Sequence, residues 1–285
     1  MASSDIHLKP LKNFGVEISG VTLSKVQDEA RITALRKHWS EHGVIVFRDQ
    51  QQLDESDLIR FSRYFGDLEI HVRKEYLSPD NPEILYVSNK QQSGRAIGIL
   101  SDHEVGWHHD QIYLPKPALG SLLYSVEIPP SGGNTEFINL ADAFDALPTE
   151  TKQQIEKLRG VQSYAYFNGK WSEPVNNEQR DRTPDIDHPL VRTHPESGRK
   201  AIYADPGMTV GIKELPGTEG RKLLDRLFEH AIRDEFLYSH EWQLGDAIMW
   251  DNASTMHRRG EFDSDYSRLM KRTTILPPPD LAAPF

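Results

Sequence analysis

Gly106-Trp-His-His-Asp-Gln-Ile-Tyr113 is the stretch on which the reading of this chain turns. His108 and Asp110 stand two apart, and in a strand side chains at i and i+2 share one face. One imidazole and one carboxylate can then enter the same cavity. A second imidazole would complete the two-histidine, one-carboxylate triad that leaves open positions on non-haem Fe(II). His257, closing the segment Trp250-Asp-Asn-Ala-Ser-Thr-Met-His257, is the leading candidate. A zinc-protease reading of His103-Glu104-Val-Gly-Trp-His108 fails on spacing. That motif needs its histidines four apart on one helical face, whereas these are five apart, and Gly106 disfavours a helix interior. With 12 histidines, an isolated His-x-Asp arises readily by chance, so its companions must decide the matter.

Composition narrows the chemistry around this motif. The chain has 285 residues and a formal net charge of −10, with 37% hydrophobic and 27% charged residues, an ordinary globular balance. An acidic chain is a poor nucleic-acid binder, and no apolar run approaches the ~18 residues of a membrane span. Met1 to Pro10 lacks the basic start and apolar stretch of a signal peptide, so a soluble, cytoplasmic protein is expected. There is no cysteine, which removes disulfides, thiolate catalysis, Fe–S clusters and Cys-based zinc sites. A metal must be held by His, Asp or Glu.

Periodicity predicts helices over Asp28–His42 and Asp54–Phe65, flanking the β-branched run Val44-Ile-Val-Phe47. From about residue 118 short strand-like runs recur: Ser121–Ile128, Thr135–Asn139, Val161–Phe167, Pro189–Thr193, Lys200–Ala204, Asp246–Trp250 and Arg268–Leu276. Helices are expected over Ala141–Gly160, which contains Leu147-Pro148 and then a polar helix, and over Thr218–Arg233. Many short strands with helices outside them point to a mainly β fold, a sandwich or jelly roll with flanking helices. No Gly/Ser-rich linker divides the chain, so residues 1–285 are read as one domain with a Pro-rich tail from Pro277 to Phe285.

In order along the chain, several segments resemble those of the Fe(II)/2-oxoglutarate-dependent taurine and chlorophenoxyacetate dioxygenases. They are Phe65-Gly-Asp-Leu68 followed by His71, Trp107-His-His-Asp110, Pro129-Pro-Ser-Gly-Gly-Asn-Thr135, Trp250-Asp-Asn before His257, and then Arg268 and Arg272. The resemblance spans roughly residues 10–276. It implies a double-stranded β-helix (jelly-roll) core, with His108, Asp110 and His257 as iron ligands. It also implies 2-oxoglutarate as cosubstrate, its distal carboxylate held by Arg268 and Thr135. A guanidinium pairs bidentately with a carboxylate, and a threonine hydroxyl adds a donor. Arg272 and His71 match positions that meet the prime substrate, which is therefore expected to be a small anion. The implied reaction hydroxylates a substrate C–H bond while 2-oxoglutarate and O2 become succinate and CO2.

Some residues depart from the family pattern. His109 fills the variable place of Trp-His-x-Asp and on a strand would point away from the metal. Asn134 replaces an aspartate of the Gly-Gly-Asp-Thr turn and keeps its hydrogen-bonding capacity. Gly94–Val105 has no clear counterpart in the taurine enzyme. Tyr164, Phe167, Trp171 and Met208 fall where such enzymes line the substrate pocket. Asp110 favours hydroxylation over halogenation, since halogenases carry a small residue there. Desaturation or ring formation by the same triad stays open, as does a homo-oligomer. A divalent-metal isomerase or hydrolase on the same fold would not need Thr135 and Arg268 together.

Overall fold

A computed structural model describes residues 6–99, 104–169 and 176–278. Its core is two antiparallel sheets facing each other. The major sheet has seven strands in the order His7–Pro10, Val16–Ser19, Val44–Phe47, Ala247–Asp251, Gly120–Glu127, Leu269–Ile275 and Leu85–Ser88. The minor sheet has four, in the order Leu237–His240, Thr135–Asn139, Thr255–Arg259 and Val105–His108. Pairing is antiparallel except between Val16–Ser19 and Val44–Phe47. Over Val105–Asn139 and again over Leu237–Ile275 the chain passes back and forth between the sheets, minor to major and back. Between these stretches it forms a separate three-stranded sheet (Ile186–Pro189, Arg159–Gln162 and Thr209–Ile212) and a two-stranded one (Val191–Thr193 and Lys200–Ile202).

The apolar run at Val44–Phe47 is continuous because both faces of that strand are covered. Val44 and Val46 pack inward with Trp250, Phe137 and Met270 between the sheets. Ile45 and Phe47 pack outward under helices Glu29–His42 and Glu55–Arg63, against Leu35, Trp39, Leu58 and Phe61. Asp28 and Asp54 start these helices by accepting from the backbone N–H groups of Arg31 and Asp57, at 2.8 and 2.7 Å. Helix Thr218–Ala231 packs on Thr209–Ile212 and on helix Leu140–Asp145, burying Leu223, Leu224, Leu227 and Phe228 in an apolar cluster that also holds Ile138 and Met256 of the minor sheet. At about 1.5–3 kcal/mol per large apolar side chain, this stripe supplies on the order of 6–12 kcal/mol to that cluster.

Three expected elements differ. The run Pro189–Thr193 is divided at Leu190 between strands Ile186–Pro189 and Val191–Thr193 of different sheets. The run Val161–Phe167 is not one strand: Arg159–Gln162 is a strand, and Ser163 then caps the short helix Tyr164–Asn168, accepting from Tyr166 N–H at 3.3 Å. The helix expected over Ala141–Gly160 is two, Leu140–Asp145 and Thr149–Ile155, because Pro148 cannot continue the first and instead precedes the second. His257 and the strand that follows Arg268 lie in different sheets, so these two residues, eleven apart in the chain, meet across the core. Most of the expected tail, and Trp171, lie outside the described residues.

Candidate metal centre

The site is built where the minor sheet ends. His108 is the last residue of its strand and is paired in register with His257 on the neighbouring one. Asp110 lies just past the strand, in a turn where Gln111 adopts a left-handed φ of 57°. One ligand atom from each of His108, Asp110 and His257 lies within 4.8 Å of the other two. His257 Nε2 is 3.9 Å from Asp110 Oδ1, and the imidazole centroids are 4.2 Å apart. All three residues are buried.

The surroundings set the charge of each group. His108 Nδ1–H donates to the Gly106 carbonyl at 2.8 Å, which leaves Nε2 with its lone pair. Burial lowers the basicity of His108, and burial together with His108 lowers that of His257 well below the usual imidazole range, so both are neutral. Burial alone would push the Asp110 carboxyl up. Arg272, His257, His108 and a hydrogen bond from Ser121 outweigh it and hold Asp110 ionised. Two neutral imidazoles and one carboxylate suit a divalent first-row metal such as Fe(II).

Two side chains of Asp205 and Asn252 shape the His-x-Asp segment, and neither was anticipated. Asn252 continues the ladder past the strand end. Its Oδ1 accepts from Asp110 N–H at 2.9 Å, and its Nδ2 donates to the carbonyls of Asp110 and Ala118 at 2.7 and 3.1 Å. Asp205 Oδ2 accepts from the His109 backbone N–H at 3.1 Å and from its ring Nδ1 at 2.8 Å, so His109 does point away from the metal ligands. Gly207 lets that loop approach, because a Cβ there would lie 2.7 Å from the Trp107 carbonyl and 3.2 Å from His108 Cβ. Ser121 Oγ donates to Asp110 Oδ2 at 2.7 Å. Aspartate and asparagine abound in any sequence, and only the fold shows which of them reach this segment.

Between the sheets lies a cavity of about 260 Å³ lined by the triad and by Thr135, Arg268, Arg272 and His71. All seven expected site residues therefore meet in one space. Thr135 follows the tight turn at Gly132-Gly133, whose φ angles of 76° and 66° require glycine's freedom, and Arg268 Nε lies 3.5 Å from where a Cβ of Gly133 would stand. Arg268 is 2% exposed, and its Nε and Nη1 have no hydrogen-bond partner among the described residues. Burial, and the neighbouring Arg259, lower its basicity to about 9, still a cation at neutral pH. Trp242 Nε1–H donates to Thr135 Oγ at 3.0 Å, which leaves the threonine hydroxyl proton available to an incoming acceptor. A buried cation with open donors beside an available hydroxyl fits a carboxylate ligand.

On the other side of the triad, Arg272 Nη1 donates to Asp110 Oδ1 at 2.8 Å, while its Nε has no partner among the described residues. His71 Nδ1 accepts from Arg73 N–H at 3.1 Å. Burial, then Arg272, push the His71 imidazole down to about 3, so it is a neutral group whose Nε2–H can donate. Tyr113, Tyr164, Phe167 and Met208 wall this end, and the neighbouring Glu69 carboxyl is raised to about 7, chiefly by burial.

Comparison with known proteins agrees with this chemistry. Residues 7–274 match the family described as taurine catabolism dioxygenase TauD, TfdA family. The chain is 34% identical over 281 residues to the alpha-ketoglutarate-dependent 2,4-dichlorophenoxyacetate dioxygenase of Cupriavidus pinatubonensis, covering 94% of this chain and 96% of that one. It is 31% identical over 293 residues to pentalenolactone F synthase of Streptomyces avermitilis, with 95% and 94% covered. Among solved structures, a taurine dioxygenase from Burkholderia xenovorans superposes with a TM-score of 0.82 at 30% identity, covering 99% of this chain and 96% of that chain. AAD-2 in complex with Mn(II) and N-oxalylglycine gives 0.81 at 33% identity, covering 96% and 98%. The chain belongs to the TauD/TfdA family and is an Fe(II)- and 2-oxoglutarate-dependent dioxygenase.

Proposed function

We propose that His108, Asp110 and His257 hold the iron, that Arg268 and Thr135 hold the distal carboxylate of 2-oxoglutarate, and that Arg272 with His71 receives the anionic group of a small organic acid, which is hydroxylated. The observation that carries this reading is Arg268, a fully buried guanidinium with open donors in the same cavity as the triad. The back-and-forth passage of the chain between its sheets supports a double-stranded β-helix core in a single domain.

Bound iron, with 2-oxoglutarate and O2, supplies the oxidising power for the C–H bond, and succinate and CO2 leave as co-products. The protein's residues do the positioning. Ser121 and Arg272 fix the Asp110 carboxylate in its ionised form. Arg268 and Thr135 would hold the far carboxylate of the cosubstrate, leaving its 2-oxo acid end for the metal held by His108, Asp110 and His257. Arg272 keeps Nε for a substrate anion while Nη1 stays on Asp110, which ties substrate binding to the metal ligand itself. His71 adds a neutral donor, since burial and then Arg272 hold its imidazole below the usual range. The ring wall of Tyr113, Tyr164 and Phe167 excludes water from the reacting carbon and favours an acid with an apolar body. Relatives named for 2,4-dichlorophenoxyacetate and for sulfate esters support an anionic substrate.

An anaerobic titration of metal-free protein with Fe(II) and 2-oxoglutarate tests the reading. The expected outcome is a weak visible charge-transfer band, abolished by His108→Ala and weakened by Arg268→Ala. Candidate acids that perturb the band identify the substrate. Folded, iron-loaded protein that gives no band would overturn the assignment of both sites.

A further inference from the structure

A second set of metal-type ligands lies outside the cavity. His38, Glu41 and His42 occupy the end of helix Glu29–His42, and one ligand atom from each lies within 4.8 Å of the other two. The helical repeat explains the convergence, because residues three and four apart are neighbours on one face, with about 5–6 Å between Cβ atoms. The imidazoles of His38 and His42 lie stacked, with centroids 6.0 Å apart and an interplanar angle of 27°.

His38 Nδ1 is shielded from solvent and has no hydrogen-bond partner among the described residues. It lies 4.0 Å from Glu41 Oε2, too far for a hydrogen bond. Two ligands each about 2.0–2.2 Å from a tetrahedral zinc ion stand roughly 3.4 Å apart, so a small side-chain rotation closes this gap around an ion. Glu41 Oε1 makes only an exposed contact with Lys37 Nζ at 3.8 Å, leaving Oε2 available. The set also sits on the last turn of its helix, where the macrodipole favours a cation.

We infer that His38, Glu41 and His42 form a surface site for a late divalent transition metal of the zinc class, separate from the triad in the cavity. Two imidazoles and one carboxylate suit zinc, copper and nickel, and the ordinary affinity order places all three above Fe(II) at such a site. Water would complete the coordination sphere on the exposed side. Gly43, the next residue, accepts from Asp251 N–H at 2.8 Å, so the bound ion would sit on the helix end that braces the segment leading to His257.

The test is equilibrium dialysis and calorimetric titration of untagged, metal-free, full-length chain with zinc chloride. Wild type is expected to take two equivalents. The cavity-deficient Asp110→Ala/His257→Ala chain keeps one. Adding His38→Ala/His42→Ala to that chain removes the last equivalent, and with it the zinc-dependent rise in Tm. His42→Gln keeps a neutral polar side chain on the same helix face and loses the same equivalent, which guards against a folding artefact. The proposal is overturned if the cavity-deficient chain binds no zinc, or if its one equivalent survives removal of both histidines.

Discussion

Asn252→Ala tests how the ligand segment is held. The wild-type side chain makes three hydrogen bonds, one from Asp110 N–H and two to the carbonyls of Asp110 and Ala118, at 2.9, 2.7 and 3.1 Å. Asn252 is wholly buried, so alanine leaves three backbone groups without water. At about 1 kcal/mol for each neutral hydrogen bond, the loss is about 3 kcal/mol, and more where an orphaned group keeps its full desolvation penalty. For a chain of this size each kcal/mol moves Tm by roughly 2–4 °C, so metal-free Asn252→Ala should melt about 6–12 °C below wild type. Loss of residues that orient metal ligands typically weakens metal binding about 10–100-fold. Thermal melts of the metal-free protein and anaerobic dialysis against Fe(II) read the two effects. Asn252→Asp separates hydrogen bonding from volume: it is isosteric but turns an oxygen towards two carbonyls, and it should be at least as damaging. If Asn252→Ala kept the wild-type Tm and iron affinity, the Asp110 turn would be held by other contacts, and the account of this segment would fail.

Three further outcomes follow from the same geometry. Arg268→Met replaces a buried, unpaired guanidinium by an apolar side chain of similar length. It should raise the Tm of the apoprotein while weakening 2-oxoglutarate binding 100-fold or more, the loss of charge-assisted bonds worth roughly 3 kcal/mol; a lower Tm would argue that Arg268 is structural. Ser121→Ala removes one hydrogen bond to Asp110 Oδ2 and should lower iron affinity about tenfold with little change in the far-ultraviolet spectrum; unaltered affinity would show that Arg272 alone orients the carboxylate. Glu55 is expected to govern part of the acid lability. Burial raises its carboxyl, but bonds from Ser78, Asn81, Lys271 and Tyr86 outweigh this and lower it to about 2. A depressed acid contributes stability that is fully present above its unfolded value of about 4.5 and is lost as pH falls towards 2. Denaturant melts should therefore show wild type gaining on Glu55→Gln from pH 2 to about 4.5 and holding a constant lead above it. A gap independent of pH would contradict the hydrogen-bonded carboxylate.

The strand at Val44–Phe47, the Thr135–Asn139 strand and the helix ends at Asp28 and Asp54 were legible because local chemistry dictates them: a β-branched run, a strand after a Gly-Gly turn, and side chains that cap. Of the seven residues that meet in the cavity, His108 and Asp110 were marked by their i, i+2 spacing and His257 as the leading third candidate, whereas Thr135, Arg268, Arg272 and His71 stood out only through the resemblance of their segments to the family. What the sequence hid was tertiary. Asp205 lies ninety-five residues beyond Asp110 in the chain, and no local pattern marks it as the partner of His109. Val161–Phe167 read as a strand from its β-formers, yet Ser163 redirected it into a helix that turns Tyr164 and Phe167 to the cavity. The sheet exchange between His257 and Arg268 was likewise invisible, since a hairpin and a crossing have the same eleven-residue separation.

The electrostatics of the cavity run against those of the whole chain. The protein carries a formal charge of −10, yet Arg73, Arg259, Arg268 and Arg272 line the cavity, with Asp110 the one carboxylate among the described lining residues and Arg73 paired with Glu75. A buried guanidinium left without an anion carries a desolvation penalty of several kcal/mol. Arg272 relieves part of that penalty by pairing with Asp110, and Arg268 does not, having no carboxylate partner among the described residues. The two arginines therefore divide the work. Arg272 keeps a metal ligand ionised before the metal arrives, while Arg268 holds its donors open for a carboxylate that the chain itself does not provide. A protein selected only for stability would have filled that position with an apolar side chain, and the retained charge is the clearest mark of binding that this fold carries.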